Sequence, residues 1–357
     1  RLHRLVRSPL AAPGAALVPV GTAVDRVRLG LLAARCATVS PARLLAEPET
    51  STETALRRAG LSHRIIEELL RPFLSGVFAD RALETSSHVF AVVLRSFARG
   101  RIGVPASGMG ALAAAVAAPL PPTRLVTDCP ATTVGQGLVR TAAGDIRCRA
   151  VLVATDPVTA ATLLPGALPA PRMRALHTYY HAAPVPPLDE PILLLDGDRR
   201  EIIANTVVIS NAAPSYAPGG RSLISTSVVG PDAPPEPVIR AELARLYGRA
   251  TADWEHLTTV ALPQALPAAP SPQGRLRQPV VLGDGMFVAG DHRDSPSIQG
   301  ALASGWRAAA AIIAGVAPAP GPSGRGMGDG ATAVRARAAD ALSDGGATVD
   351  GQQGHRS

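Results

Sequence analysis

Residues 283–315 read GDGMFVAGDHRDSPSIQGALASGWRAAAAIIAG, and no other stretch of the chain restricts its fold as tightly. Residues 280–282 and 286–289 are strand-like, and the second run ends in Gly290-Asp291. A polar loop follows, and Ser297 is placed to cap a helix that runs to about residue 314. Small residues stud that helix: Gly300, Ala301, Ala303, Ser304, Gly305 and Ala308. A strand that delivers the chain to a helix N-terminus gathers unpaired N–H groups at the positive end of the helix dipole, which suits an anion. Gly290 would let a phosphate approach the backbone, and Asp291 would accept hydrogen bonds from sugar or ribityl hydroxyls. Gly300 and Ala301 would let the helix lie beside a flat ring. The plain alternative is a tightly packed strand–loop–helix unit with no ligand.

The remaining pattern gives a mixed α/β (α+β) chain. Helical spacing predicts helices over 22–36, 54–59, 62–73 and 86–99, the third capped by Ser62. Val24, Val27, Leu31 and Leu32 carry the periodicity of the first, and Val89, Phe90, Val93, Leu94 and Phe97 lie on one face of the last. At 104–120, VPASGMGALAAAVAAPL has Gly108 and Gly110 opening a small-residue helix. RLVTDC, ATTVGQGLVRT and IRCRAVLVAT then read as strands, with 150–154 an unbroken apolar run of the kind found in buried parallel sheets. Between 172 and 275 the runs LHTYYHA, PILLLD, NTVVIS, SLISTSVV and HLTTVAL predict an antiparallel sheet covered by a helix at 237–247. The expected organisation is therefore a helical part of a substrate domain at 1–103, a dinucleotide-domain segment at 104–168, a substrate-domain sheet at 169–278, a second dinucleotide-domain segment at 279–316, and a disordered tail at 317–357 poor in large apolar residues.

Composition removes several chemistries. All 35 basic residues are arginine, so neither a lysine Schiff base nor a lysine general base exists. The net charge is +7, but the arginines are dispersed without interleaved aromatics, which argues against nucleic acid. Cys36, Cys129 and Cys148 form no CxxC pair, which argues against a disulfide framework and a zinc site and fits the cytoplasm. No metal site is expected: His177 and His181 share a strand-like run but lack an acidic or thiol partner at ligand spacing. Alternation places His177, Tyr179 and His181 on one face, either in ordinary sheet packing or toward a substrate cavity. No stretch of 18 apolar residues appears, and no basic amphipathic helix stands out, though an apolar substrate would make peripheral membrane contact reasonable.

MFVAGDHRDSPSIQGALASGWRAA resembles the C-terminal flavin-binding signature of the phytoene desaturase/amine oxidase superfamily of FAD-dependent oxidoreductases, and more closely the actinobacterial phytoene-desaturase-like branch. RPFLSGVFADRALETSSHVF, VPASGMGALAAAVA, CRAVLVATDP and TTVALPQALPAAP agree, so the similarity spans roughly 60–315. The resemblance implies a discontinuous Rossmann-like FAD domain and a substrate domain of antiparallel sheet and helices. It puts Gly290 and Asp291 at the pyrophosphate and ribityl chain. Ser297, Ile298, Gln299 and Gly300 would present the helix N-terminus to the pyrimidine edge of the flavin. Ala131 would border the adenine, and Ala154 and Thr155, with Asp156, would lie beneath the dinucleotide. His292 would be a proton acceptor near flavin N5 or the substrate; otherwise it is a solvent-side loop histidine.

Two departures sharpen the expectation. The superfamily's strand followed by GxGxxG is not present: Gly14, Gly21 and Gly30 do not form it, and PGGRSL at 218–223 lies between sheet strands. That βαβ unit is expected upstream of Arg1. Amine-oxidising members commonly use a lysine and caging aromatics near the flavin, and residues 294–300 supply neither. The resemblance therefore favours desaturation of a hydrophobic small molecule by hydride transfer to flavin. The alternatives are an FAD-free binding protein on the same fold, as in GDP-dissociation inhibitors, or an inactive truncated flavoenzyme.

Overall fold

The structure is a computed structural model, and it describes residues 20–121, 124–169, 171–217 and 219–316. The expectations for 1–19 and for the tail at 317–357 lie outside the described residues.

The first hundred residues are helical, and hydroxyl caps decide where the helices start. These are α1 (Ala23–Thr38), α2 (Pro41–Leu44), α3 (Thr52–Arg58), α4 (His63–Ile65), α5 (Arg71–Phe78) and α6 (Ser87–Arg99). Thr22, Ser40, Ser51, Ser62 and Ser86 each accept a hydrogen bond from a first-turn amide, offsetting part of the four orphan donors. Between α4 and α5 the chain widens into a π-helical turn, Ile66–Leu70. Pro72 explains it, because Pro72 has no N–H for the Glu68 carbonyl and its ring would press on that carbonyl in a regular helix. Leu56, Ile65, Ile66, Leu74, Phe78, Leu83 and Phe90 form the core of this region.

One expected face is reversed. In α1 the buried residues are Asp25 and Cys36, while Val24, Val27 and Leu31 are exposed. Asp25 wins the inner position because its carboxylate is fully used. It accepts from the Thr22 amide and hydroxyl and from the Ser62 amide and hydroxyl, each at 2.8 Å. One buried charge thereby joins the start of α1 to the start of α4.

Helix α7 (Gly110–Ala117) has no buried residue. RLVTDC, expected as a strand, is irregular and exposes Leu125 and Val126. ATTVGQGLVRT folds as a hairpin, β1 (Ala131–Gly135) and β2 (Leu138–Thr141), extended by β3 (Gly144–Arg147) into a three-stranded antiparallel sheet. IRCRAVLVAT is thus divided: its start joins the hairpin, and its apolar part is β4 (Val151–Val153), followed by α8 (Pro157–Leu163).

The antiparallel sheet expected between 172 and 275 is present. β5 (Met173–Ala183), β6 (Leu193–Leu194), β7 (Asn205–Val208), β8 (Ser222–Val229) and β9 (Glu255–Pro267) form a five-stranded sheet in the order β6-β7-β8-β5-β9, every pair antiparallel. Helix α9 (Glu236–Tyr247) covers one face through Ile239, Leu243 and Tyr247. Against the other, Leu176 and Val229 meet Ala79 at the end of α5.

Beyond β9 the chain returns to β4. β10 (Val281–Gly283) pairs antiparallel with β11 (Met286–Val288), and β11 pairs parallel with β4, Met286 opposite Val151 and Val288 opposite Val153. Val151, Val153, Val288, Ala160 and Leu164 close a small core under this sheet. Helix α10 (Ile298–Val316) follows. Two remote segments therefore build one small sheet, and β4 stands at its edge with no second strand partner among the described residues.

Candidate active site at the junction of β4, β11 and α10

The parallel pair sets the site, because both strands release their chain at the same end. β4 runs into Ala154, Thr155 and Asp156, and β11 into Ala289, Gly290 and Asp291. The Ala289 amide still bonds the Val153 carbonyl at 2.9 Å. A Cβ built on Gly290 would lie 3.6 Å from the Thr155 carbonyl. The sequence-predicted pairs 155–156 and 290–291 are therefore brought together. Asp156 caps α8, accepting from the Val158 and Thr159 amides at 3.0 Å each, and the Thr159 contacts hold its carboxyl below the usual range.

Gly290 has φ 155°, a conformation open to glycine, and a side chain there would strike the His292 ring at 2.5 Å. Its peptide group is not free for a phosphate, as the sequence suggested. The buried Ser304 hydroxyl accepts from the Gly290 amide at 2.9 Å and donates to the Gly290 carbonyl at 2.7 Å. Ser304 was missed as a site residue because, in sequence, it is one small residue among many in a helix.

Gly300 has a structural task as well. A Cβ at Gly300 would overlap the carbonyl of Ser295, so glycine is needed for the loop to fold back on the first helical turn. Ser297 caps as predicted, its hydroxyl accepting from the Gly300 amide at 3.1 Å and meeting the Ser295 hydroxyl at 3.0 Å. Among the described residues, the amides of Ile298 and Gln299 have no acceptor, and both residues are exposed. Two donors at the positive end of a 19-residue helix are thus presented outward.

Arginines fasten the loop from behind. Buried Arg293 donates to the Pro279 carbonyl, and Arg307 donates to the carbonyls of Gln278 (2.9 Å) and Arg293 (2.7 Å) and pairs with Asp294 at 3.3 Å. Asp291 is half-buried; burial raises its carboxyl pKa, and nearby Asp156 adds to the rise. His292 is pushed down to about 4 by burial and by Arg293, against the pull of Asp156, and neither ring nitrogen has a hydrogen-bond partner. It is a neutral imidazole at pH 7 and a weak base, able to give one hydrogen bond and accept another.

A cleft of about 360 Å³ opens beside this loop, lined by Asp291 and His292 and, on the apolar side, by Leu168, Pro169, Pro267 and Leu276. Ala131 is exposed at the start of β1 and paired with Thr141. His177, Tyr179 and His181 are buried within the sheet region. Tyr179 packs beneath α9 and donates to the Pro234 carbonyl at 2.5 Å, and His181 bonds Glu236 at 2.9 Å. Among the described residues no cluster of His, Cys, Asp or Glu could hold a metal, and no helix is long and apolar enough to cross a membrane.

Converging strand ends, a glycine turn and outward amides at a helix start are features that dinucleotide-binding sites use. A family model described as flavin containing amine oxidoreductase matches residues 15–313, and the chain belongs to that family. No curated protein shows a significant sequence match. Among solved structures, an oxidoreductase from Methanosarcina mazei superposes with a TM-score of 0.62 at 16% identity, covering 81% of this chain and 73% of that one. A candidate protoporphyrinogen oxidase from Exiguobacterium gives 0.59 at 16%, covering 83% and 72%. Reduced UDP-galactopyranose mutase gives 0.57 at 14%, covering 84% and 74%. These likenesses establish the FAD-binding oxidoreductase fold, and the family's cofactor is a flavin.

Proposed function

We propose that the protein is a cytoplasmic FAD-dependent oxidoreductase of the phytoene-desaturase-like kind, dehydrogenating a small hydrophobic molecule. The observation that carries this reading is the pair of unpartnered amides, Ile298 and Gln299, at the start of α10 beside the Gly290–Asp291 turn. When bound, the flavin supplies the hydride acceptor for cleavage of a substrate C–H bond. Donors fixed in advance at a helix N-terminus favour charge that develops nearby, without reorganisation during the reaction. Asp291 would take hydroxyl hydrogen bonds from the cofactor's sugar-like chain. His292, neutral and with both ring nitrogens buried beside the cleft, would help position the Asp291 loop rather than hold a proton. The Pro- and Leu-lined wall of the cleft suits an apolar substrate, and the absence of lysine disfavours the amine-oxidising chemistry.

The remaining half of the clamp would come from a further segment bearing a strand and a glycine-rich turn, paired along the open edge of β4. Its covering helix would lie on Leu302 and Trp306, which are 52% and 57% exposed along α10. The test is spectroscopic. FAD added to the 357-residue chain should be retained weakly, and a form that includes the pairing segment should retain it with visible flavin absorbance. Asp291→Ala in that form should weaken retention about tenfold, the scale of one hydrogen bond to a charged group. Absence of flavin in both forms would overturn the enzyme reading in favour of an FAD-free binding protein on this fold.

A further inference from the structure

The reversed face of α1 leaves a surface that nothing in the flavin site uses. Val24, Val27 and Leu31 are 54%, 63% and 65% exposed, and their i, i+3, i+7 spacing aligns them in one outward strip. Arg28 and Arg35 flank the strip along one side. Leu31, Arg28 and Arg35 also border a crevice of about 450 Å³ between α1, α3 and α6, whose floor includes Leu32, Leu44 and Phe90. Arg58, on the rim of that crevice, has no carboxylate partner among the described residues, nor has Arg26 or Arg43.

Charge is distributed to match. The described residues 20–46 contain four arginines, Arg26, Arg28, Arg35 and Arg43, and a single acid, Asp25. That acid is buried and wholly engaged in capping, so it does not neutralise the exterior. Arg26 and Arg28 on α1 and Arg58 on the crevice rim thus set positive charge beside an apolar ridge and an apolar-floored crevice, where Arg35 is paired with Glu47. The same periodicity that suggested an inward face in sequence describes an outward one, which is how this basic amphipathic helix escaped notice.

We infer that α1 and the adjoining crevice form a docking surface for an anionic lipid bilayer, the ridge entering the headgroup boundary and the arginines meeting acidic headgroups. The crevice accepts an acyl chain beside Leu31. The mode is peripheral, and it does not depend on the flavin assignment.

The test uses the whole chain in co-sedimentation with vesicles of phosphatidylcholine alone or mixed with phosphatidylglycerol. Binding is expected only with phosphatidylglycerol, and it should weaken steeply with added salt. Val27→Ser with Leu31→Ser should reduce it about tenfold, and Arg26→Gln with Arg58→Gln about twenty-fivefold, on the scale of about fivefold per charge at an anionic surface. Circular dichroism should show both double variants folded, since the replaced side chains are exposed. Equal binding to neutral vesicles, wild-type binding by either double variant, or no vesicle binding at all would overturn the inference. A wild-type chain that self-associates and becomes monomeric in Val27→Ser/Leu31→Ser, without binding vesicles, would show that a second copy covers the ridge instead.

Discussion

Gly300 has no room for a methyl group, because the Ser295 carbonyl occupies that space. Gly300→Ala should therefore force the loop away from the helix start, at a cost of about 1–3 kcal/mol typical of overpacking. Thermal unfolding should show a midpoint lower by several degrees, and an unchanged midpoint would count against the close approach. His292 makes a different kind of prediction. Burial, with Arg293, lowers its pKa to about 4, while an unfolded histidine titrates near 6.5. Between those values the unfolded chain binds more protons than the folded one, so stability falls as pH drops from about 6.5 toward 4. Denaturant unfolding at pH 7 and 4.5 should show a loss of up to about 3 kcal/mol that His292→Asn largely removes. Equal pH dependence in the variant would place the proton elsewhere. At this scale the sequence exposed residue types well and their tasks less well. Gly290, Asp291 and Ser297 could be picked out, but Ser304's clasp on Gly290 depends on a contact across fourteen residues that no local pattern announces.

Elements start where the sequence says they start, because caps are local. Ser62 and Ser297 were readable for that reason. Which way a helix faces is not local, and α1 shows it: one aspartate with four hydrogen bonds outweighed three aliphatic side chains. Burial alone would raise the Asp25 carboxyl, yet the bonds from Thr22 and Ser62 prevail and leave it far below the normal range. Asp25→Asn puts donors against donors, and should cost about 3 kcal/mol on the scale for bonds to a buried charge. The depressed folded pKa fixes the sign. The wild-type advantage should be constant above about pH 5, then shrink as pH falls below the unfolded carboxylate value of about 3.9. Chemical denaturation of both forms across pH 2.5–7 checks it; an advantage that persists undiminished at the acid end would remove Asp25 from the ionised state. The strand RLVTDC failed for a related reason, since a short apolar run becomes strand only when a neighbour pairs with it. The long outer strand β9 meanwhile carries Pro263, which withdraws one amide donor from its free side and limits chance pairing there.

For the whole molecule, the alternation of helical, mixed and antiparallel regions was legible because each has its own period of hydrophobicity. The apolar run 150–154 read as a buried parallel strand, but nothing in it names a partner, and its pairing with β11 was not foreseen. The same holds for the cleft, whose walls come from residues 157–172, 267–278 and 291–296. That pairing also governs how the protein is made. Val151 leaves the ribosome long before Met286, its partner in the sheet. Long-range parallel pairing of this kind is slow and leaves apolar strands uncovered meanwhile. The helical region can consolidate during synthesis, whereas the sheet of β4 and β11 must wait until Met286 has been made. A cell making this protein therefore holds a half-folded nascent chain with β4 bare, and chaperone demand should fall on that interval.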